Sequence, residues 1–206
     1  MLTHFTECLS ACPIIAILRG VKPTEIVAVC DALYASGIRL LEVPLNSPQP
    51  YESIALAAKH CAGRQMVGAG TVLTPQEAAE VKAAGGEFIV SPNTSPETIR
   101  ETRRLEMVSI PGFFTATEAF TAIASGANYL KLFPSILGPG YVKDLKAVVK
   151  HPILAVGGVS PDNIREFLEV CAGAGIGSAL YKAGDSPDQV AAKARKFVSL
   201  IHTCPC

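Results

Sequence analysis

One structural unit repeats along the whole sequence. Eight short apolar runs are each followed by a turn and a longer helical pattern. The runs begin at Ile14, Leu40, Met66, Phe88, Met107, Tyr129, Ile153 and Gly173. Their starts lie roughly 20–26 residues apart, close to the length of one strand, one helix and two loops. Eight nearly continuous apolar strands that alternate with helices favour an α/β fold with a closed (β/α)8 TIM barrel over an open doubly wound sheet.

Hydroxyl residues followed by proline mark most of the predicted helix starts. A Ser-Pro or Thr-Pro pair occurs at Ser47, Thr74, Ser95, Ser160 and Ser186, and Thr115 begins a capping box. A hydroxyl oxygen at the N-cap accepts a free backbone N–H, and proline suits the first helical position. Glycines at 37, 85 and 126 follow predicted helices, where a left-handed C-cap residue is favoured.

Composition predicts one well-buried domain that spans residues 1–206. The hydrophobic fraction is 49% and the charged fraction only 17%, which suits a single large core rather than two small ones. No linker interrupts the repeat. Residues 1–12 precede the first strand and are predicted to form an extra helix that closes the bottom of the barrel.

Charge and cysteine usage exclude several classes of protein. The formal net charge is zero, so no basic surplus is present to neutralise nucleic-acid phosphates. No apolar run is long enough to cross a bilayer, and the N-terminus lacks the basic region of a signal peptide. The seven cysteines are scattered without a CxxC pair, which favours a reducing cytoplasm. No role is assigned to them, including Cys204 and Cys206 near the C-terminus.

Two charged residues interrupt the cores of predicted strands. Lys131 lies within "YLKLFP" and Glu42 within "LLEVPL", and inward positions of a barrel are enclosed on all sides. Burial lowers the pKa of a lysine, and a neutral amine is a nucleophile. The structural alternative is a buried ion pair, which is weak evidence for stability because desolvation tends to cancel the attraction. We therefore favour a catalytic pair over a purely structural one.

The strand ends carry no pattern typical of a metal or a dinucleotide. The four histidines, His4, His60, His151 and His202, lie outside the predicted strand ends, and no aspartate lies in a strand. A catalytic divalent metal would require such ligands there, so a metal-dependent aldolase or epimerase is disfavoured and no cofactor is predicted. "GAGIG" lacks the acidic residue of a dinucleotide site and belongs to the last strand.

The last two strands predict a phosphate site. They end in "AVGGVSP" and "GAGIGSAL", and barrels often bind phosphate through the loops after strands 7 and 8 with backbone N–H groups. Gly157, Gly158 and Gly177 would let the backbone approach a phosphate, and Ser178 would add a hydroxyl donor. The alternative is that these glycines only ease tight turns.

These residues carry a resemblance to a known family. "LLEVPLNSP", "VGAGTVL", "IVSPN", "IPGFFTATEAF", "LKLFPS", "AVGGVSP" and "GAGIGSALY" resemble, in order, the 2-keto-3-deoxy-6-phosphogluconate / 4-hydroxy-2-oxoglutarate (KDPG/KHG) aldolase family. The resemblance implies a homotrimeric, metal-free class I aldolase. It implies that Lys131 forms the Schiff base, Glu42 transfers protons, Thr71 lies at the pyruvyl carboxylate, and the four phosphate-site residues above bind phosphate.

Two positions depart from the phosphogluconate-type members of that family. Asn46 stands where those enzymes carry an arginine, and Val156 stands where they carry a threonine before the Gly-Gly pair. At both positions, and at Arg19 in "AILRG", the chain resembles the branch of the family that cleaves the C4 epimer, 2-dehydro-3-deoxy-6-phosphogalactonate. Arg19 could replace the missing carboxylate contact. Valine removes a hydroxyl that could hydrogen-bond the C4 oxygen in one configuration.

Other activities remain open from the residues alone. The same mechanism could act on 2-dehydro-3-deoxy-6-phosphogluconate or 4-hydroxy-2-oxoglutarate. A sugar-phosphate isomerase or epimerase could use Glu42 as a base without forming an imine. A non-catalytic barrel could bind a phosphorylated metabolite without turnover.

Overall fold

The computed structural model describes residues 1–202, so Cys204 and Cys206 lie outside the described residues. The strands are β1 (Ile14–Ile17), β2 (Leu40–Pro44), β3 (Met66–Gly70), β4 (Phe88–Val90), β5 (Val108–Ile110), β6 (Gly112–Phe113), β7 (Leu130–Leu132), β8 (Ile153–Val156) and β9 (Gly173–Ile176). The helices are α1 (Leu2–Ala11), α2 (Pro23–Ala35), α3 (Pro50–Cys61), α4 (Pro75–Ala83), α5 (Pro96–Arg104), α6 (Ala116–Ala124), α7 (Gly138–Leu145), α8 (Ile164–Val170) and α9 (Pro187–His202). None of these helices combines the length and apolarity needed to cross a membrane.

The strands are parallel and curl into a nearly closed barrel. Their order is β5-β4-β3-β2-β1-β9-β8-β7-β6, so the two edge strands are consecutive pieces of the chain. Tyr129 N–H donates to the Ser109 carbonyl at 3.2 Å, and Lys131 N–H donates to the Pro111 carbonyl at 2.9 Å. The first bond links β5 to the residue before β7, and the second continues the pairing of β6 with β7. The sheet is therefore nearly closed, which confirms the predicted (β/α)8 architecture. The predicted fifth strand, however, is two strands divided at Pro111, which has no N–H to donate.

Four of the predicted helix caps are confirmed by hydrogen bonds. The hydroxyl oxygens of Thr74, Ser95, Thr115 and Ser186 accept the N–H groups of Glu77, Thr98, Glu118 and Gln189, at 3.2, 3.3, 3.4 and 3.3 Å. The glycines predicted at helix C-termini have positive φ angles: 97° at Gly37, 90° at Gly85 and 98° at Gly126. Local capping chemistry therefore sets the bounds of several helices.

Two of the predicted helix starts are wrong. Helix α3 begins only at Pro50, and the buried Ser47 instead accepts the Gly20 N–H at 3.0 Å, a contact that joins the loops after β1 and β2. Helix α8 begins at Ile164, because the Ser160 carbonyl closes a turn before it. The Ser47 hydroxyl, which the local pattern predicts to cap α3, is used in this tertiary contact instead.

Apolar side chains fill the half of the barrel at the N-terminal ends of the strands. The two charged residues lie in the next layer toward the C-terminal ends. Phe5 of α1 lies with its ring centroid 5.3 Å from that of Phe88 and 5.1 Å from that of Tyr129. Successive strand residues point to opposite faces. Glu42 comes two residues after Leu40, and Lys131 comes two residues after Tyr129, both of which belong to this buried cluster. The strand period therefore turns both charged side chains inward, one layer nearer the C-terminal ends.

Candidate active site

A cavity opens at the C-terminal ends of the strands and contains both charged residues. It is lined by Ile17, Arg19, Glu42, Lys131, Phe133, Val156, Gly157, Gly158, Val159, Gly175, Gly177, Ser178 and Ala179. Glu42 is 2% exposed and Lys131 is 6% exposed. In the barrel order, β2 and β7 are separated by β1, β9 and β8, so the two side chains enter the cavity from opposite walls.

Lys131 and Glu42 do not form a direct ion pair. Within residues 1–202, neither side chain belongs to an ion pair with a nitrogen–oxygen distance of 4.0 Å or less. Glu42 Oε2 is buried and has no hydrogen-bond partner. A structural ion pair would bring the two groups into contact, because only contact and further hydrogen bonds offset their desolvation. The geometry instead leaves space between an amine and a carboxylate.

Burial shifts the protonation of both groups toward their neutral forms. It raises the pKa of the Glu42 carboxyl to about 7, although the positive charges of Lys131 and Arg19 act in the opposite direction. Burial also lowers the pKa of the Lys131 ammonium, and this effect is opposed by Glu42 and reinforced by Arg19. A neutral amine and a carboxyl that titrates near neutrality suit nucleophilic attack and reversible proton transfer.

Phe133 lines the cavity but is not among the residues predicted from the sequence. The Lys131 Nζ lies 4.6 Å from the centroid of its ring, within range of a cation–π contact. A β-carbon on Gly157 would lie 3.3 Å from the same ring. Phe133 follows Lys131 by two residues, so the strand period was the signal that could have placed it on the same face.

The loops after β8 and β9 line the cavity and contain backbone N–H groups without a protein acceptor in the described part of the chain. Gly157 and Gly158 both have φ 84°, a conformation that favours glycine. Within residues 1–202, the N–H groups of six lining residues in these loops donate to no protein atom: Gly157, Gly158, Val159, Gly177, Ser178 and Ala179. Such donors suit an oxyanion or a phosphate. Val159 and Ala179 were not predicted, because their side chains, unlike glycine or serine, give no indication in the sequence of a phosphate-binding backbone.

Ser135 holds the end of β8 in place. Its hydroxyl donates to the Leu132 carbonyl at 3.0 Å and accepts the Val156 N–H at 2.8 Å. Its own N–H lies within hydrogen-bond distance of the Val156 and Gly157 carbonyls, at 2.9 and 3.0 Å. Ser135 thus connects the chain after Lys131 to the end of the neighbouring strand β8, where Val156 and Gly157 line the cavity.

Arg19, Asn46 and Thr71 lie at the ends of the first three strands. Arg19 lines the cavity and donates from Nη1 to Asn46 Oδ1 at 2.7 Å. Asn46 itself is not among the lining residues, and neither is Thr71. Thr71 has φ 57°, which is unusual for a β-branched residue. The substrate-binding roles of Asn46 and Thr71 remain predictions.

The donor set at the site contains no metal-binding cluster. Across residues 1–202, no group of three or more histidine, cysteine, aspartate and glutamate side chains is arranged to hold a metal ion. The polar groups of the cavity are one amine, one carboxyl, one guanidinium, the Ser178 hydroxyl and a set of backbone N–H groups.

Comparison with known proteins agrees with this chemistry. The sequence model of the family described as KDPG and KHG aldolase matches residues 5–192. The chain belongs to the KDPG and KHG aldolase family. This aldolase is 45% identical over 190 residues to 2-dehydro-3-deoxy-6-phosphogalactonate aldolase of Escherichia coli, covering 90% of this chain and 93% of that protein.

Solved structures of related aldolases have the same fold. A native KDPGal structure superposes with a TM-score of 0.90 at 44% identity, covering 92% of this chain and 94% of that one. A KDPG aldolase from Legionella pneumophila, with pyruvate captured at low pH as a covalent carbinolamine intermediate, superposes with a TM-score of 0.81 at 26% identity, covering 95% of both chains. The identity is thus higher with the galactonate-type proteins than with this gluconate-type enzyme.

Proposed function

We propose that this aldolase cleaves 2-dehydro-3-deoxy-6-phosphogalactonate to pyruvate and glyceraldehyde 3-phosphate through an imine on Lys131. The observation that carries the proposal is the placement of Lys131 and Glu42. Both are buried in one cavity, on opposite walls, and neither neutralises the other by direct contact. A separated amine and carboxyl can act on a molecule between them, whereas a contacting ion pair could not.

In the first half-reaction, the neutral Lys131 amine attacks the C2 carbonyl of the substrate. With a proton taken from solvent, the carbinolamine hydroxyl leaves as water and a protonated imine remains, which withdraws electrons from C3. Glu42 takes the proton of the C4 hydroxyl, the C3–C4 bond breaks, and its electron pair converts the iminium to an enamine. Glyceraldehyde 3-phosphate leaves. The pyruvate carbinolamine captured in the Legionella relative supports the covalent step.

The second half-reaction returns the enzyme to its starting state. Glu42 gives its proton to C3 of the enamine, and water hydrolyses the resulting pyruvate imine to free Lys131. Glu42 acts first as a base and then as an acid. A carboxyl whose pKa is about 7 suits both directions of transfer near neutral pH.

Two sets of residues at the cavity are proposed to bind the phosphate and the carboxylate of the substrate. The free N–H groups at Gly158 and Ser178 support binding of the phosphate, with Gly157 and Gly177 giving the backbone close access. Arg19 is the guanidinium that lines the cavity, and with Thr71 it is proposed to hold the substrate carboxylate beside the C2 carbonyl. A guanidinium can bind a carboxylate through two parallel hydrogen bonds.

Two residues support the galacto epimer over the gluco epimer. The Arg19–Asn46 hydrogen bond supports the view that the pair replaces the arginine of gluconate-type enzymes. Val156 lines the cavity and presents methyl groups where those enzymes present a hydroxyl. The relative at 45% identity is named for the galacto substrate, which supports the same choice.

The first experiment measures pyruvate release from both C4 epimers side by side, with chelator present. Faster cleavage of the galacto epimer is expected. Faster cleavage of the gluco epimer would retain the aldolase and reject the specificity. Lys131→Ala should abolish both cleavage and borohydride trapping of pyruvate on the protein while the circular dichroism spectrum is unchanged. Turnover by Lys131→Ala would remove this residue from the mechanism.

We also propose a homotrimer that acts in the cytoplasm. Family resemblance supports the trimer, and the exposed apolar side chains of Phe120, Ile136 and Leu137 are candidates for its contacts. The described cysteines, Cys8, Cys12, Cys30, Cys61 and Cys171, are buried free thiols, which is compatible with a reducing compartment. Light scattering of the purified protein tests the trimer, and a monomeric mass would reject it.

A further inference from the structure

The carboxylate of Glu42 occupies space that a side chain on β3 would otherwise fill. A β-carbon built on Gly70 would lie 1.9 Å from Glu42 Oε2 and 2.4 Å from both Oε1 and Cδ. These distances are far inside van der Waals contact. Glu42 therefore fits in its present position only because residue 70 has no side chain.

Backbone conformation does not explain this glycine. Gly70 lies within β3 and is paired in register with Pro44 of β2, and it is not among the residues with positive φ. Any residue could adopt this extended backbone, so the requirement for glycine comes from the space in front of it. The space is taken by the reactive end of Glu42.

We propose that Gly70 is a positioning residue that sets the location of the Glu42 carboxylate opposite Lys131. The proposal rests on the catalytic role of Glu42 put forward above. The slot over Gly70 holds the carboxylate against the β3 wall, away from direct contact with Lys131. A methyl group at position 70 would push it out of the slot and into the cavity, where Lys131 on β7 and Arg19 after β1 are the charged groups that face it.

The same strand provides a matched control. A β-carbon on Gly68 would also point into the barrel, but it would lie 2.4 Å from the ring of Phe88, one layer below the site. The carboxylate is the far end of a flexible side chain and can move, whereas the Phe88 ring is fixed by its neighbours. Gly70→Ala should thus fold and lose activity, while Gly68→Ala should lose stability and retain more of its activity.

The experiment combines Gly70→Ala with a shortened acid. Gly70→Ala alone should lower kcat/KM for the phosphorylated substrate by about 100-fold, since a displacement of about 1 Å can cost that much. Glu42→Asp withdraws the carboxylate from the space that the new methyl group occupies. In the Gly70→Ala background, Glu42→Asp should therefore raise kcat/KM by about tenfold, although it lowers kcat/KM in the wild-type background.

A second readout separates positioning from general damage. The pH dependence of borohydride trapping with pyruvate should move to higher pH in Gly70→Ala, because a carboxylate nearer Lys131 holds the proton on its amine. It should not move in Gly68→Ala. Gly70→Ala activity within about threefold of wild type, or equal losses in both glycine variants without any rescue by Glu42→Asp, would overturn the proposal.

Glu42→Gln tests the underlying function separately. Cleavage retained in Glu42→Gln would reject the proton-transfer role of Glu42. The proposed positioning role of Gly70 would then be rejected as well. Cleavage lost in Glu42→Gln but retained in Gly70→Ala would leave the proposed function intact and reject only the positioning role.

Discussion

Arg19 and Asn46 are joined at the rim of the barrel by a 2.7 Å hydrogen bond from the guanidinium Nη1 to the amide oxygen Oδ1. The two residues follow neighbouring strands, since β1 pairs with β2. An amide oxygen can orient a guanidinium without neutralising its charge. Arg19 thus stays available to an anion in the cavity, with Asn46 limiting its orientations.

Arg19→Ala should raise KM and lower kcat/KM by about 10- to 150-fold, because a hydrogen bond to a charged group contributes about 1.5–3 kcal/mol. Asn46→Ala should have a smaller effect, about 2- to 10-fold, since it removes only the orienting contact. Steady-state kinetics on the galacto epimer measures both. Arg100→Ala, which removes an exposed arginine on α5, is the charge-matched control. Equal kinetics for Arg19→Ala and Arg100→Ala would exclude Arg19 from substrate binding.

Val156→Thr should shift the preference between the C4 epimers toward the gluco form. The two side chains have nearly the same shape, but the new hydroxyl can hydrogen-bond the C4 oxygen in one configuration. The ratio of the two kcat/KM values should change by about 5- to 150-fold, corresponding to about 1–3 kcal/mol. Val156→Ala is the control, because it removes the methyl groups without adding a hydroxyl and should affect both epimers alike. An unchanged ratio in Val156→Thr would remove this position from specificity.

Gly158→Ala should weaken binding of the phosphorylated substrate more than it weakens the fold. The φ of Gly158 is 84° and that of Gly184 is 86°, and an added β-carbon would meet nothing within 4 Å at either position. Both alanine variants should therefore lose about 1–2 kcal/mol of stability from the left-handed backbone. Only Gly158→Ala should raise KM, since Gly184 does not line the cavity.

Trapping with pyruvate provides the internal check on Gly158→Ala. Pyruvate has no phosphate, so borohydride should trap its imine equally well in Gly158→Ala, Gly184→Ala and the wild type. A trapping defect confined to Gly158→Ala would mean that this loop supports Lys131 itself rather than the phosphate.

Glu42→Gln should stabilise the protein at alkaline pH. The pKa of Glu42 rises from 4.5 to about 7 on folding, so between these values the folded state keeps a proton that the unfolded state releases. The free energy of unfolding of the wild type therefore falls as pH rises from about 4.5 to about 7, by up to about 3 kcal/mol. Glutamine does not titrate, so Glu42→Gln does not lose this stability as pH rises.

Urea unfolding at pH 5 and pH 8 measures the effect. Glu42→Gln should exceed the wild type by about 1–3 kcal/mol at pH 8 and by much less at pH 5. Glu169→Gln, which changes an exposed carboxylate on α8, should show no such difference between the two pH values. A constant offset between Glu42→Gln and the wild type would show that burial does not shift this carboxyl.

Local patterns in the sequence predicted most of the architecture. The apolar runs that begin at Leu40, Met66, Phe88, Ile153 and Gly173 start where the strands start, because a buried parallel strand must be apolar over its whole length. The strand period of two then turned Lys131 and Glu42 toward the same interior. These inferences depend only on residues that are neighbours in the chain.

The sequence-based predictions were wrong where a contact between distant residues competed with a local sequence pattern. The Ser-Pro pair at Ser47 resembles a helix cap, but the Gly20 N–H uses the hydroxyl instead. The run from Met107 reads as one strand, but closure of the barrel divides its pairing between β4 and β7 at Pro111. Neither the contact of Ser47 with Gly20 nor the closure of the barrel at Pro111 can be seen in the local sequence.

The sequence by itself determined the strand order along the chain, the inward charges and the glycine-rich ends. Only the tertiary structure decided that Lys131 and Glu42 stand apart, that Phe133 lies beside the amine, and that Gly70 leaves room for a carboxylate. The physical reason is separation along the chain. Periodicity is a property of adjacent residues, whereas the space available to Glu42 is set by a residue 28 positions away on the neighbouring strand.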